Sequence, residues 1–364
     1  MHGPRASFRT TSASSHLQGD SNDRAIVLAA VKQDGLALEW MAAELRADHE
    51  IVLAAVRHNG RALFYASDAL KADRAIVLAA VQQHCWMLFH ATPALKGDRT
   101  VVLAAVRQNG NALAYAIEAL KADRAIVLAA VQRDGSALNY ASEALKADRE
   151  IVLAAVRQDG LALENADPAL HGDREIVLAA VQKNGYMMFY AAKELKDNRE
   201  VVLAAVQKNG FALMYASKEL KADREVVLAA VQQDGYALRD AADALNADRE
   251  VVLTAVQKNG RALKYAADTL KADATIVTAA VRADGDALQF AALEFHDDEW
   301  LDLLARRDSS RLPARARAFL KLARDQVDAA VQSKVDLFLI KRGLADWISV
   351  KEMQARVSRG KDKK

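Results

Sequence analysis

A chain of 364 residues exceeds the usual size of one compact core, so it holds either two domains or an array that lengthens without a thickening core. Ala, Leu and Val dominate while Gly numbers 16 and Pro only 4, the profile of a helix-rich chain with few breakers. One cysteine, Cys85, excludes an intramolecular disulfide framework and favours a reducing, intracellular compartment. No apolar run approaches the roughly 18 residues needed to cross a bilayer, so a soluble protein is expected.

Residues 1–22 are rich in Ser and Thr, with Arg5, Arg9 and a single acid, Asp20. The segment weakly resembles an organellar transit peptide, but it is short and has no amphipathic stripe or secretory apolar stretch, so a disordered leader is expected.

From Asp23 a pattern recurs every 25 residues through eleven copies, starting at Asp23, Asp48, Asp73, Asp98, Asp123, Asp148, Asp173, Asn198, Asp223, Asp248 and Asp273. The consensus is D-R-E-[IV]-V-L-A-A-V-Q-K-[ND]-G-x-A-L-x-Y-A-x-x-x-L-K-A, numbered below as positions 1 to 25. Asp at position 1 suits a helix N-cap, and Glu at position 3 suits the positive end of the helix dipole. The helix spans the I-V-L-A-A-V run and is expected to close at Asn-Gly or Asp-Gly, with the glycine in the left-handed conformation. Positions 4 to 9 are apolar nearly all round, which predicts contacts on several sides.

A second, shorter helix follows as x-A-L-x-Y-A, with positions 15, 16 and 19 on its apolar side. Pro93 and Pro168 occupy position 21 behind Thr92 and Asp167, a cap-then-proline start for a one-turn element that docks Leu95, Leu170 and their equivalents. One such unit cannot bury enough surface to fold alone, so stability is expected from interfaces between copies. The fold class is therefore all-α, an α-solenoid of eleven 25-residue helix-turn-helix repeats over residues 23–297, on the order of 100 Å long at about 8–10 Å per layer.

The run R-E-V-V-L-A-A-V-Q-K-N-G-F-A-L-M-Y-A-S-K-E-L-K-A-D, residues 199–223, resembles the tandem module described as domain of unknown function 4116, whose family unit spans two of these repeats. The resemblance covers 23 to about 297 on the motif V-L-A-A-V-x-x-[ND]-G-x-A-L-x-[YF]-A. It implies a helical repeat protein and brings no activity with it.

Residues 298–364 change character, with 16 Lys and Arg against 10 acids. Of the total charge of +2, this tail carries +6 and the leader +1, which leaves −5 on the repeats. The tail predicts two or three helices that cap the last repeat, Pro313 near the start of the longest, with a frayed R-G-K-D-K-K end. A docking element for a membrane surface or a partner is the other reading of this basic segment.

Four features of the repeats bear on function. Repeat 3 carries Gln83-His84-Cys85-Trp86-Met87-Leu88-Phe89-His90 where N-G-x-A-L-x-Y is usual; two His and one Cys fall short of a tetrahedral zinc set, so the segment reads as drift. Cys85 in the helix-closing slot is expected to cost stability because a side chain resists positive φ. Position 18 is aromatic in most copies (Trp40, Tyr65, Tyr115, Tyr140, Tyr190, Tyr215, Tyr265, Phe290), and core packing is favoured over a track for stacked bases because His90, Asn165 and Asp240 interrupt it. Arg at position 2 forms a surface salt-bridge ladder with the capping acids, and Lys at position 24 lies in the same solvated belt.

Positions 14 and 17 vary most. They fall one turn apart on the second helix, so Arg61, Phe64, Trp86, Phe89, Tyr186, Phe189, Phe211, Met214, Tyr236 and Arg239 are candidate partner-binding residues if the stripe is exposed, and neutral surface otherwise. No phosphate-binding glycine loop, zincin pair or nucleophile elbow occurs, so no catalytic residue, metal or cofactor is expected. The function expected is a non-enzymatic protein-binding scaffold. Nucleic-acid binding is the runner-up, disfavoured by the −5 charge, and a peripheral membrane adaptor through the basic tail is the third reading.

Overall fold

The computed structural model describes residues 20–295. Residues 1–19 of the leader (1–22) and the whole of the basic extension (298–364) assigned from sequence lie outside the described residues. The described residues divide into two compact units, separated in sequence between Ser217 and Lys218. Both are built from the same 25-residue helical repeat, and no strand occurs among the described residues.

Each interior repeat opens with a ten-residue α-helix, such as Arg124–Arg133, Arg149–Gln158 or Arg249–Lys258. The first helix of the chain is longer, Asp20–Gln33, and starts ahead of Asp23. The position-1 aspartate caps as expected: Asp148 Oδ1 accepts the N–H groups of Glu150 and Ile151 at 3.0 and 3.1 Å. This satisfies amides that have no partner within the helix.

Burial is one-sided rather than all-round. Positions 4, 5, 8 and 9, for example Ile126, Val127, Ala130 and Val131, are fully buried, whereas Leu128 and Ala129 at positions 6 and 7 are half-exposed. The i, i+1, i+4, i+5 spacing selects one helix face, and the neighbouring repeats cover that face only.

The glycine expectation needs correcting. Position 12, not glycine, turns the chain: Asn59 is extended (φ −146, ψ 110), ends the helix His49–His58, and caps the next element by accepting Arg61 N–H at 3.0 Å. None of Gly35, Gly60, Gly110, Gly135, Gly160, Gly185, Gly235 and Gly260 sits in the left-handed region. A Cβ at these positions would instead lie 2.2–2.6 Å from the carbonyl oxygen of the position-8 alanine one repeat on, so the slot admits no side chain because two backbones meet there.

The second helix is a 3-10 helix that begins at that glycine, as in Gly135–Tyr140. With three residues per turn, side chains at i and i+3 eclipse. Positions 13 and 16 therefore face inward together, positions 15 and 18 share a flank, and positions 14 and 17 share the outer face. A one-turn element follows: an α-turn in most copies (Glu143–Lys146) and 3-10 at Pro168–Gly172. Asp167 caps Ala169 N–H at 2.8 Å, while Thr92 makes no side-chain cap bond. Leu95 docks into the core, and Leu170 is half-buried.

Two hydrogen-bonded ladders join consecutive repeats within each unit. The position-20 N–H donates to the position-24 carbonyl of the preceding repeat, as from Ser142 to Lys121 at 2.9 Å and from Ala267 to Asn246 at 2.8 Å. The capping carboxylate uses its second oxygen for the preceding repeat's arginine, as in Asp173 Oδ2 with Arg149 Nε at 2.7 Å. The arginine ladder is thus confirmed, and the caps Asp48, Asp98, Asp123, Asp148, Asp173, Asp248 and Asp273 are also inter-repeat ties, whereas Arg174 reaches Glu200 past the Asn198 cap. Paired guanidinium groups, first of all the causes, hold the carboxyls of Asp98, Asp148 and Asp248 below the usual range.

Lysine at position 24 does not share that belt. Lys121 and Lys146 are only 19% and 18% exposed and pair with Glu118 and Glu143 three residues earlier at 2.8 Å. The stem folds back along its own one-turn helix, which places the ammonium beside the end of the 3-10 helix.

Candidate functional site: the outer face of the 3-10 helices

Because positions 14 and 17 eclipse, their side chains form a stripe that the core does not cover. Phe64, Trp86, Phe89, Tyr186, Phe189, Phe211 and Met214 are exposed, while the apolar residues at positions 4, 5 and 16 of the same repeats are fully buried. Arg61 and Arg239 are also exposed, and Tyr236 is half-buried.

The structure gathers these residues into two clusters within residues 20–217. In the first, Arg61 lies over the Trp86 ring at 5.5 Å, and Phe64, Trp86 and Phe89 surround His90 at 5.1, 6.2 and 5.0 Å. Burial, then the charges of Lys71 and Lys96, hold His90 below the ordinary imidazole range and favour its neutral form. In the second, Tyr186 stacks on Phe189 at 6.2 Å, and both meet Tyr215 edge-on at 6.0 and 5.5 Å.

Phe211 makes no ring contact among the described residues and joins neither cluster. In the 218–295 segment Tyr236 packs edge-on against Tyr265 at 6.3 Å, and Arg239 is paired with Asp240 at 3.0 Å. Tyr236 also lines an open polar recess with Lys258 and Arg261, whose guanidinium is held by Asp284 and Asp286.

The position-18 rings are half-buried except Trp40 in the first repeat, which is 83% exposed and does not pack in the core as expected; Tyr115, Tyr215 and Tyr265 meet their neighbours edge-on, with no parallel ladder among the described residues. Burial, followed by a hydrogen bond to Glu164, raises the Tyr190 hydroxyl above its ordinary value, and Glu39 acts in the same way on Tyr65. These tyrosines fill the groove between repeats and keep the hydroxyl at its rim, as expected for a ring that is apolar at one end and wet at the other.

Sequence reasoning missed His90, Lys96, Tyr115, Lys196 and Tyr215 as members of the clusters. One partial signal was available: the repeats of Phe89 and Phe189 combine aromatic residues at positions 14 and 17 with the loss of the acid at position 21, replaced by Pro93 and Lys193. His84 makes no side-chain cap, and Cys85 occupies the crowded glycine slot, so repeat 3 departs from the others in its turn as well as in its rings. Among the described residues no group of three His, Cys, Asp or Glu gathers to hold a metal, and no helix is long and apolar enough to cross a membrane.

Comparison with known proteins returned no match to a curated protein and none to a solved structure. The family described as Domain of unknown function (DUF4116) matches residues 23–71, 48–96, 73–121, 123–171, 148–196, 173–221, 198–246 and 248–296. Each match spans two repeats, and successive starts are separated by 25 residues or a multiple of it. The chain therefore belongs to the DUF4116 family, as a tandem array of its helical repeat.

Proposed function

We propose that this protein is a non-enzymatic scaffold that binds a protein partner through the outer face of its 3-10 helices. One observation carries the reading: large apolar side chains sit on that face although the core of every repeat is closed without them. Phe64, Phe89, Tyr186 and Phe189 are 55, 56, 47 and 48% exposed. Clustered exposed aromatics of this kind mark association surfaces, and aromatic anchors dominate binding energy at such surfaces. Nucleic acid is the weaker reading, because the repeats carry −5 and the rings of consecutive repeats, Phe89 with Tyr115 and Phe189 with Tyr215, meet edge-on rather than as a run of parallel faces for bases.

The test places a photo-crosslinking amino acid at position 64 or 211 of the full-length chain, with Gln82, exposed on the first helix of repeat 3, as control. A protein partner should be captured from 64 and 211, and non-covalent affinity capture of that same partner should drop about tenfold on the Phe64→Ser/Phe211→Ser chain relative to the unsubstituted one. Capture from position 82 alone, or recovery unchanged by the double substitution, would refute this use of the face.

A further inference from the structure

Within residues 20–217 the same constellation is built twice, four repeats apart. The Phe89 ring meets Tyr115 at 5.6 Å and 69°, and the Phe189 ring meets Tyr215 at 5.5 Å and 69°. Trp86 and Tyr186 occupy position 14 beside them, and Lys96 and Lys196 occupy position 24.

Charge also marks these two places. In four other copies the position-24 lysine is neutralised by the acid at position 21, Lys71 with Asp68, Lys121 with Glu118, Lys146 with Glu143 and Lys271 with Asp268, while in repeat 8 position 21 is Lys218. Pro93 and Lys193 remove that acid. Lys96 Nζ then lies 5.3 Å from the Phe89 centroid, and Lys196 Nζ lies 6.0 Å from that of Tyr215 while donating to the Phe189 carbonyl at 2.8 Å. Neither lysine has an ion pair among the described residues. The same holds for Arg61 over Trp86, although Arg261, its equivalent in repeat 10, is bound by two aspartates.

A ligand that fits such a place brings an apolar group for the rings and a negative charge for the unneutralised cations. One face of Trp86 and one of Phe89 are taken by Arg61 and Lys96, and a cation held on a ring still offers its outer side to a carboxylate. The overall charge of −5 on the repeats opposes a long polyanion and restricts the ligand to a short acidic segment.

Building on the scaffold reading above, we infer that each constellation is a docking point for an acidic, apolar-containing peptide segment of a partner protein, two points per chain.

The experiment pans random short peptides on phage against the full-length chain, then titrates the enriched peptide, fluorescently labelled, by anisotropy. Enriched peptides should be net acidic with aromatic or aliphatic residues, and two should bind per chain. One should remain with Phe89→Ser or Phe189→Ser, and none with both changes. Lys96→Glu and Lys196→Glu should each weaken their own point by about tenfold or more while the far-UV spectrum and Tm stay unchanged.

Enrichment of basic or uncharged peptides, or two peptides still bound by the double variant, overturns the inference. So does an oligothymidine probe that binds more tightly than the peptide and is lost in the same variants. If the partner captured through positions 64 and 211 stays bound to the Phe89→Ser/Phe189→Ser chain, the docking points fall and the scaffold reading stands. If no partner is captured through 64 or 211, the scaffold reading itself falls.

Discussion

Replacing Gly110 with alanine separates two accounts of the repeat glycine. Gly110 lies outside the left-handed region, and an added Cβ would sit 2.3 Å from the Ala130 carbonyl oxygen and 3.0 Å from the Asp134 Cβ. Real Cβ contacts do not fall below 3.0 Å, so the two backbones would have to separate by at least about 0.7 Å. The Ala130 oxygen also accepts Asp134 N–H at 2.9 Å, so moving it disturbs the end of the helix it closes. Overpacking of this kind costs about 1–3 kcal/mol, reduced by the roughly 0.4–1 kcal/mol that alanine gains from a less free unfolded chain. Urea unfolding of the full chain followed by far-UV circular dichroism should show the loss as an earlier midpoint, and Gly110→Asn should be at least as damaging. A neutral or stabilising Gly110→Ala would refute the close-approach account. A Gly110→Asn chain distinctly more stable than Gly110→Ala would restore the left-handed one, since asparagine tolerates that region and alanine does not.

Repeat 3 supplies the converse case: His84→Asn should restore the missing cap and Cys85→Gly should relieve the crowded slot, the first raising stability by about 0.5–1 kcal/mol in the same assay. Asp148→Ala should cost about 1 kcal/mol through its two capping bonds, whereas Asp148→Asn keeps a capping oxygen and should cost markedly less, because the Arg124 pair is largely solvated. Asp98, Asp148 and Asp248 are held below the ordinary carboxylate range, so their contribution is present above the unfolded value of about 4 and is lost as pH falls through the lower folded values. Thermal melts at decreasing pH should therefore show Tm falling below about pH 4, and less steeply in an Asp98→Asn/Asp148→Asn/Asp248→Asn chain.

The candidate stripe was half-legible in the sequence. Positions 14 and 17 stand out because they vary while their neighbours repeat, and the 3-10 geometry places them side by side as the spacing suggested. Their grouping into two ring-and-lysine clusters was not legible, because Phe89 meets Tyr115 and Phe189 meets Tyr215 only through the stacking of consecutive repeats. The lysines were misplaced for a related reason: one residue type at one repeat position is solvated or folded back according to what stands three residues before it, and that choice is made by local packing.

The helical class, the 25-residue period and the capping aspartates follow from sequence alone, since local propensity, side-chain capping and hydrophobic spacing act over a few residues and are repeated in every copy. The 3-10 form of the second helix, the half-exposure of positions 6 and 7, and the reason for glycine at position 13 were decided by tertiary structure. Each depends on how near one repeat's backbone comes to the next, as where Gly110 meets the Ala130 carbonyl. That distance is set by the packed interface between repeats, and no single copy of the motif contains it.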